Sequence, residues 1–292
     1  MSLIREDVHS LNEQDFNYIC KLVYDATGIV LGEGKREMVY RRLMRRLRET
    51  GLPSFTSYCD LLRDASSNEL PNFINSITTN LTSFFRENHH FEFLGKQLLP
   101  NIARKTPGTP RIRIWSSACS TGEEPYSIAM TLMDILGNNI NLGDIKVLAT
   151  DLDTDVLNRA KSGIYASERI ENIPVNFRKK WLLKNKQDDD QYKIHDSVRK
   201  LITFNQLNLL QAWPMKGPFD MIFCRNVLIY FDRKTQQDII RRMHALLKPN
   251  GVLALGHSES IGECSALFEN IGRTLFRKAQ NNPKKYPGES YE

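Results

Sequence analysis

The sequence predicts an α/β chain: an N-terminal all-helical domain at residues 1–78, then a domain at 79–280 built on a parallel sheet, with a small antiparallel β subdomain inserted at about 165–203. Three observations carry this. Apolar residues recur at helix spacing through residues 11–75, where strand signals are few. After residue 110 come four short apolar runs, RIRIWSSA, IKVLATD, FDMIFCRN and GVLALGHS, each followed by small or polar residues and separated by helix-like stretches. That rhythm belongs to a parallel sheet whose crossovers are helices. The third observation is a polar stretch after the second run, in which Asp188, Asp189 and Asp190 separate WLLKNK from QYKIHDSV as in a hairpin.

In the helical domain, Phe16, Ile19, Cys20 and Val23 share one helix face, and Val39, Leu43 and Leu47 share another. Gly51, Pro53 and Ser54 break the pattern, Phe55, Tyr58, Leu61 and Leu62 resume it, and Ser66, Ser67 and Asn68 turn the chain again. The last residues, 281–292, are rich in Pro, Lys and Asn and read as a disordered tail.

Composition narrows the class. Of 292 residues, 41% are hydrophobic and 25% charged, which excludes wholesale disorder and fibrous repeats. The start, MSLIREDVHS, lacks the basic and apolar regions of a signal peptide, and no segment has the length of a membrane span, so a cytoplasmic protein with no membrane insertion is expected. Five scattered cysteines, Cys20, Cys59, Cys119, Cys224 and Cys264, suggest neither a disulfide framework nor a zinc knuckle. The net charge of +6 suits nucleic acid, an anionic membrane or an acidic protein equally.

In open parallel sheets, ligands bind beyond the carboxyl ends of the strands. The first run ends in SSACSTGEEPY, where small residues admit a ligand to the backbone and Glu123 and Glu124 would repel a pyrophosphate, favouring a cationic ligand. The two acids could instead only complement a helix N-terminus. At the end of the second run, Asp151 is placed to accept ribose hydroxyls, while Asp153 is better placed to cap the following helix. The final unit, LKPNGVL at 247–253, has the form of a late turn before an apolar strand.

Three segments, TNLTSFFRE at 79–87, STGEEPYS at 120–127 and FCRNVLIYF at 223–231, together resemble the chemotaxis receptor glutamate methyltransferases over about residues 16–278. The resemblance implies a Rossmann-like, S-adenosylmethionine-dependent methyltransferase domain that leaves S-adenosylhomocysteine as product. It places cofactor contacts on Asn80, Thr82, Arg86, Glu124, Asp151, Asn208, Leu209, Arg225 and Asn226, with Arg86 and Tyr230 flanking the transferring methyl. The implied partners are the cytoplasmic methylation helices of chemoreceptors, with the receptor C-terminal tail as a further contact. One departure concerns that tail: the insert's turn, 185–191, contains no glycine. Taken singly, Asn80 or Thr82 could be a helix cap and Tyr230 a core residue.

The chemistry agrees with the residues present. A glutamate carboxylate, with an ordinary pKa of about 4.3, attacks a sulfonium methyl without a general base, and no Ser-His or Cys-His signature is seen. Arg86 is expected to steer substrate or hold a cofactor carboxylate, because a tight grip on the attacking carboxylate would drain its electron density. A nucleic-acid methyltransferase is the rival reading, but the Asn/Asp-Pro-Pro-aromatic run of amine-methylating enzymes is missing at Arg225-Asn226-Val227-Leu228. Against a non-catalytic adaptor stand the intact Arg86 and Tyr230. No metal is expected, since the adjacent His89 and His90 should point apart on a helix and no third ligand accompanies them.

One further expectation concerns residues 35–48, where Lys35, Arg36, Arg41, Arg42, Arg45, Arg46 and Arg48 accompany a single acid, Glu37. With Val39, Leu43 and Leu47 buried, Arg41, Arg42, Arg45 and Arg46 are expected to dock the acidic receptor helices, the alternative being a solvated face whose arginine stems cover apolar surface.

Overall fold

Four helices pack the N-terminal unit around one apolar cluster: α1 (Glu13–Thr27), α2 (Arg36–Thr50), α3 (Phe55–Arg63) and α4 (Leu70–Ile77). The computed structural model describes residues 10–105, 111–137, 144–185, 188 and 190–279. Asn12 starts α1 by accepting from the Asp15 amide at 2.8 Å, and Gly28 ends it at φ 73°, a conformation glycine adopts without strain. Ser54 caps α3 through the Ser57 amide. Phe16, Ile19, Val23, Val39, Leu43, Leu47 and Phe73 are all buried in the cluster, each stabilising the fold by about 1.5–3 kcal/mol. The stripe expected on α2 is the one that is buried.

A linker without regular structure leads to α5 (His89–Phe93), which continues through a π turn at Leu94–Leu98 into α6 (Leu99–Lys105). The larger unit then runs β1 (Arg111–Ser116), α7 (Glu123–Leu136), β2 (Asp144–Asp151), α8 (Thr154–Ser162), β3 (Ile164–Ala166), α9 (Val175–Trp181), β4 (Leu182–Lys184), β5 (Gln191–Ile194), α10 (Asp196–Arg199), β6 (Ile202–Gln206), β7 (Phe219–Cys224), α11 (Arg233–Leu246), β8 (Leu247–Leu255), β9 (Phe268–Gly272) and β10 (Leu275–Lys278).

The main sheet has the order β6-β2-β1-β7-β8-β10-β9. Its first five strands are parallel, and β10 and β9 close the edge antiparallel. Strand alternation sorts the core into two faces: Ile112, Ile114, Met221 and Phe223 pack on one side with α7, while Trp115, Ile222 and Cys224 pack on the other with α11. From β1 the chain winds outward through β2 to β6, then returns to β7 and winds the other way. The crevice between β1 and β7 is therefore the topological switch point.

The insert is a three-stranded antiparallel sheet, β3-β5-β4, pinned to the first βα loop by the Tyr165 hydroxyl donating to the Thr121 carbonyl at 2.6 Å. Lys186, Gln187 and Asp189 of its expected turn, and the whole 281–292 tail, lie outside the described residues. The insert ends earlier than expected: Ile202 and Thr203 already pair with Val147 and Leu148, as the start of main-sheet strand β6. The terminal β9–β10 hairpin was also not foreseen, because its short polar strands carry no clear alternation. Among the described residues no helix is long and apolar enough to cross a membrane.

Candidate active site

One cavity opens at the switch point, and its lining includes Asn80, Thr82, Arg86, Glu124, Asp151, Asn208, Leu209, Arg225, Asn226 and Tyr230. Residues from 80 to 230 meet there because the linker after α4 crosses the carboxyl ends of β1, β2 and β7. Ser120 clamps that crossing by donating to the Asn80 carbonyl at 3.0 Å.

Asp151, at the tip of β2, is buried and accepts from the Ser120 amide at 2.7 Å and the Asp153 amide at 3.1 Å. Burial pushes its carboxyl up to about 6, against the pull of these backbone donors. Asp153 is the helix cap it was expected to be, accepting from the Asp155 and Val156 amides. Its other oxygen accepts from Thr78 Oγ1 at 2.6 Å and Asn80 Nδ2 at 2.7 Å. Asn80 thus spends its side-chain Nδ2 and its backbone carbonyl holding the linker in place.

The two acids opening α7 divide their work. Glu123 turns toward the insert and pairs with Arg169, whereas Glu124 faces the cavity. Glu124 accepts from Ser116 Oγ at 2.7 Å and from Arg225 Nη1 at 2.8 Å. Burial raises its carboxyl above the usual range although Arg225 opposes the shift. The same guanidinium lies 3.5 Å from Glu87 and donates to the Arg86 carbonyl, so Arg225 braces the linker against β7.

Arg86 itself donates from Nη1 to the Leu81 carbonyl at 2.8 Å. Tyr230 follows the turn after β7, and its carbonyl accepts from the Val30 amide at 2.8 Å, so the helical unit reaches the cavity wall. Asn208 is a positioning residue by geometry: its Nδ2 donates to Ala26 at 2.8 Å and its Oδ1 accepts from the Leu210 amide. Leu209 is buried beside it.

Sequence reasoning missed Glu259. Its carboxylate accepts from the amides of Asn226, Val227, Leu228 and Gly256 at 2.7–2.9 Å, fixing the turn on which Asn226 stands at φ 57°. Nothing in HSES at 257–260 announces this, since every partner except Gly256 is over thirty residues away. The cavity walls from the helical unit, Val30, Lys35 and Met38, were missed for the same reason.

Two expectations need correction. Arg42 and Arg46 do not project freely from α2. Arg42 donates to the Ile77 and Thr78 carbonyls and to Thr79 Oγ1, and burial lowers the pKa of its guanidinium. Arg46 is bound by Glu69 through Nε at 2.7 Å and Nη2 at 2.8 Å, and its side chain is only 15% exposed. Arg41 and Arg45 are 76% and 81% exposed, in single ion pairs with Glu37 and Glu49. His89 and His90, secondly, do not diverge: their ring centroids are 4.0 Å apart and Glu87 joins them. The helix starts only at His89, and the preceding turn, with Glu87 at φ 54°, folds the carboxylate back over it.

Residues 14–78 match the family model described as "CheR methyltransferase, all-alpha domain", and residues 80–276 match "CheR methyltransferase, SAM binding domain". The chain belongs to the CheR methyltransferase family. It is 43% identical over 259 residues to a "Probable chemotaxis protein methyltransferase" of Rhizobium etli, covering 88% of this chain and 96% of the relative. It is 46% identical over 270 residues to the "Chemotaxis protein methyltransferase" of Escherichia coli, covering 91% of each. A "Chemotaxis protein methyltransferase 2" of Pseudomonas aeruginosa is 43% identical over 91% of this chain and 93% of its own length. The cofactor of this family member is S-adenosylmethionine. The cavity's chemistry fits it: a strand-tip carboxylate with spare lone pairs for ribose hydroxyls, beside apolar Leu207 and Leu209.

Proposed function

We propose that this chain methylates glutamate side chains on the cytoplasmic methylation helices of bacterial chemoreceptors, forming methyl esters. The observation that supports the ester is the state of the ionisable groups in the cavity. Its described lining contains no histidine or cysteine, and its two acids already serve other groups, Glu124 through Arg225 and Asp151 through backbone amides. A carboxylate acceptor needs no proton removed, whereas an amine or hydroxyl does.

S-adenosylmethionine, when bound, supplies an activated methyl group. Asp151 takes its ribose hydroxyls, and Asn80, Thr82, Glu124, Asn208, Leu209, Arg225 and Asn226 shape the pocket around the rest. Arg86 leaves its Leu81 contact to hold a carboxylate of the cofactor or to steer the incoming glutamate. Tyr230 donates to the oxygen that does not attack and walls the site against water. Catalysis is then mainly orientation, an effect that reaches about 7–11 kcal/mol in well-aligned systems.

Arg41 and Arg45 stand exposed along a groove beside the cavity whose lining holds six arginines, Arg159 of α8 among them, against the four acids Glu49, Glu123, Asp153 and Asp155, an excess of positive charge suited to an acidic receptor helix. The insert's edge strands, β3 and β4, are where a receptor C-terminal tail would add a strand.

The test is transfer of labelled methyl to receptor cytoplasmic fragments, with RNA in parallel. Label on glutamate that mild alkali releases as methanol is expected. Label that survives alkali, or that appears on RNA, overturns the reading. Equal rates on receptors with and without their tail would remove the tail contact alone.

A further inference from the structure

Below the cavity, where the linker enters α5, three metal-ligating side chains converge outside the cavity lining. The carboxylate of Glu87 and one ring nitrogen each from His89 and His90 all lie within 4.8 Å of one another. His90 is fully buried. Its Nε2 sits 3.3 Å from the Arg273 carbonyl and 3.1 Å from Thr274 Oγ1. A carbonyl only accepts, so Nε2 carries the hydrogen and Nδ1 presents a bare lone pair. That Nδ1 has no hydrogen-bond partner, and neither has Oε2 of Glu87, 3.9 Å away.

Two buried acceptors facing each other are unfavourable unless something positive lies between them. His89 repeats the pattern: its Nε2 lies 2.9 Å from the same Arg273 carbonyl, which leaves its Nδ1 as a second lone pair. His257, at the surface, places Nδ1 3.1 Å from the other Glu87 oxygen.

We propose that Glu87, His89 and His90 bind a transition-metal cation of the zinc class, with His257 at the rim. Imidazole nitrogens with one carboxylate suit zinc, cobalt or nickel, while magnesium and calcium prefer oxygen ligands throughout. Zinc bonds of about 2.0–2.1 Å put neighbouring ligands about 3.3 Å apart, so the side chains draw inward by an ångström or so on binding. Both histidines keep Nε2–H on the Arg273 carbonyl, the second hydrogen bond that orients a ligating imidazole.

Arg225 is the opposing charge, 3.5 Å from Glu87. Its guanidinium is already matched by Glu124 at 2.8 Å, so two carboxylates face one cation and the pocket retains a net negative charge. A bound ion would fix the turn carrying Arg86 to the start of α5, whose two histidines already hold the β9–β10 loop through the Arg273 carbonyl.

The experiment uses the full chain without a histidine tag, stripped of metal and titrated with Co²⁺ while visible absorption is followed. One equivalent is expected to give the intense bands of a four-coordinate nitrogen and oxygen site, without a thiolate charge-transfer band. Zn²⁺ should displace it and raise the thermal midpoint, and Mg²⁺ should do neither. His89→Gln and Glu87→Gln should each lose the band, whereas His195→Gln, at the end of β5 in the insert, retains it. If Glu87→Gln does not fold, His89→Gln decides, because that side chain is partly exposed. No band at one equivalent, a thiolate band, or a band that survives His89→Gln overturns the proposal.

Discussion

Arg42, on α2 of the helical unit, donates from Nη1 to the Thr78 carbonyl at 2.8 Å, in the linker that delivers Asn80 and Thr82 to the cavity. Its neighbour on the helix, Arg41, points to solvent. The two arginines therefore separate folding from docking. Arg42→Glu places a carboxylate against carbonyls and loses charge-assisted hydrogen bonds of about 1.5–3 kcal/mol each, so urea denaturation should show clear destabilisation. Arg41→Glu with Arg45→Glu should leave stability within about 0.5 kcal/mol and raise KM for receptor at low salt. An unchanged KM would remove α2 from the docking surface.

The buried pair of Arg225 and Glu124 gives a second prediction. Removing Glu124 leaves Arg225 with the more distant Glu87 carboxylate at 3.5 Å, so Glu124→Ala should cost about the 1.5–3 kcal/mol of one charge-assisted hydrogen bond. The double variant Glu124→Ala/Arg225→Met should recover part of that loss in chemical denaturation. Strict additivity of the single changes would show that the pair is not coupled.

Cofactor affinity should depend on pH through Asp151. Its carboxyl stands at about 6, so the ionised form that accepts ribose hydroxyls prevails above that value. Calorimetry with S-adenosylhomocysteine should show affinity falling as pH drops through about 6, and Asp151→Asn should bind more weakly with that dependence gone. For stability the sign is opposite. A carboxyl raised from 3.8 to about 6 favours the fold fully below 3.8, and the contribution is lost as pH rises through 6. Asp151→Asn should remove this pH dependence of stability while turning an NH₂ toward the Ser120 or Asp153 amide, a loss of about 1–3 kcal/mol at pH 7.

Glu259 supports four amides of the turn that carries Asn226. Glu259→Gln keeps the shape but turns an NH₂ toward donors, leaving at least one buried amide unpaired at about 1–3 kcal/mol. The expected readout is weaker S-adenosylhomocysteine binding with the secondary structure intact by circular dichroism. Unchanged affinity would mean that the turn holds its geometry without the carboxylate.

What the sequence reveals before folding is what neighbours along the chain decide. The Val39, Leu43 and Leu47 stripe, the four core strands and the Asp153 cap are each set by residues within one turn or one strand, and the structure has all of them. The linear motifs at 79–87, 120–127 and 223–231 also carried seven of the ten cavity residues, and Asp151 stood at the tip of the second strand, because strand tips and the loops after them are where parallel sheets bind ligands; Asn208 and Leu209 came only with the family resemblance. Only the tertiary structure decided the rest. β6 is too short and polar to announce which sheet it joins, and only pairing with β2 settles it. Whether an arginine on α2 faces a receptor or a linker carbonyl 36 residues away depends on how α2 packs against the end of α4. Glu259 under the β7 turn and Glu87 folded back on His89 and His90 follow the same physics. A charge has no local preference that reveals its partner, so its role appears only when folding removes water and leaves one group to answer it.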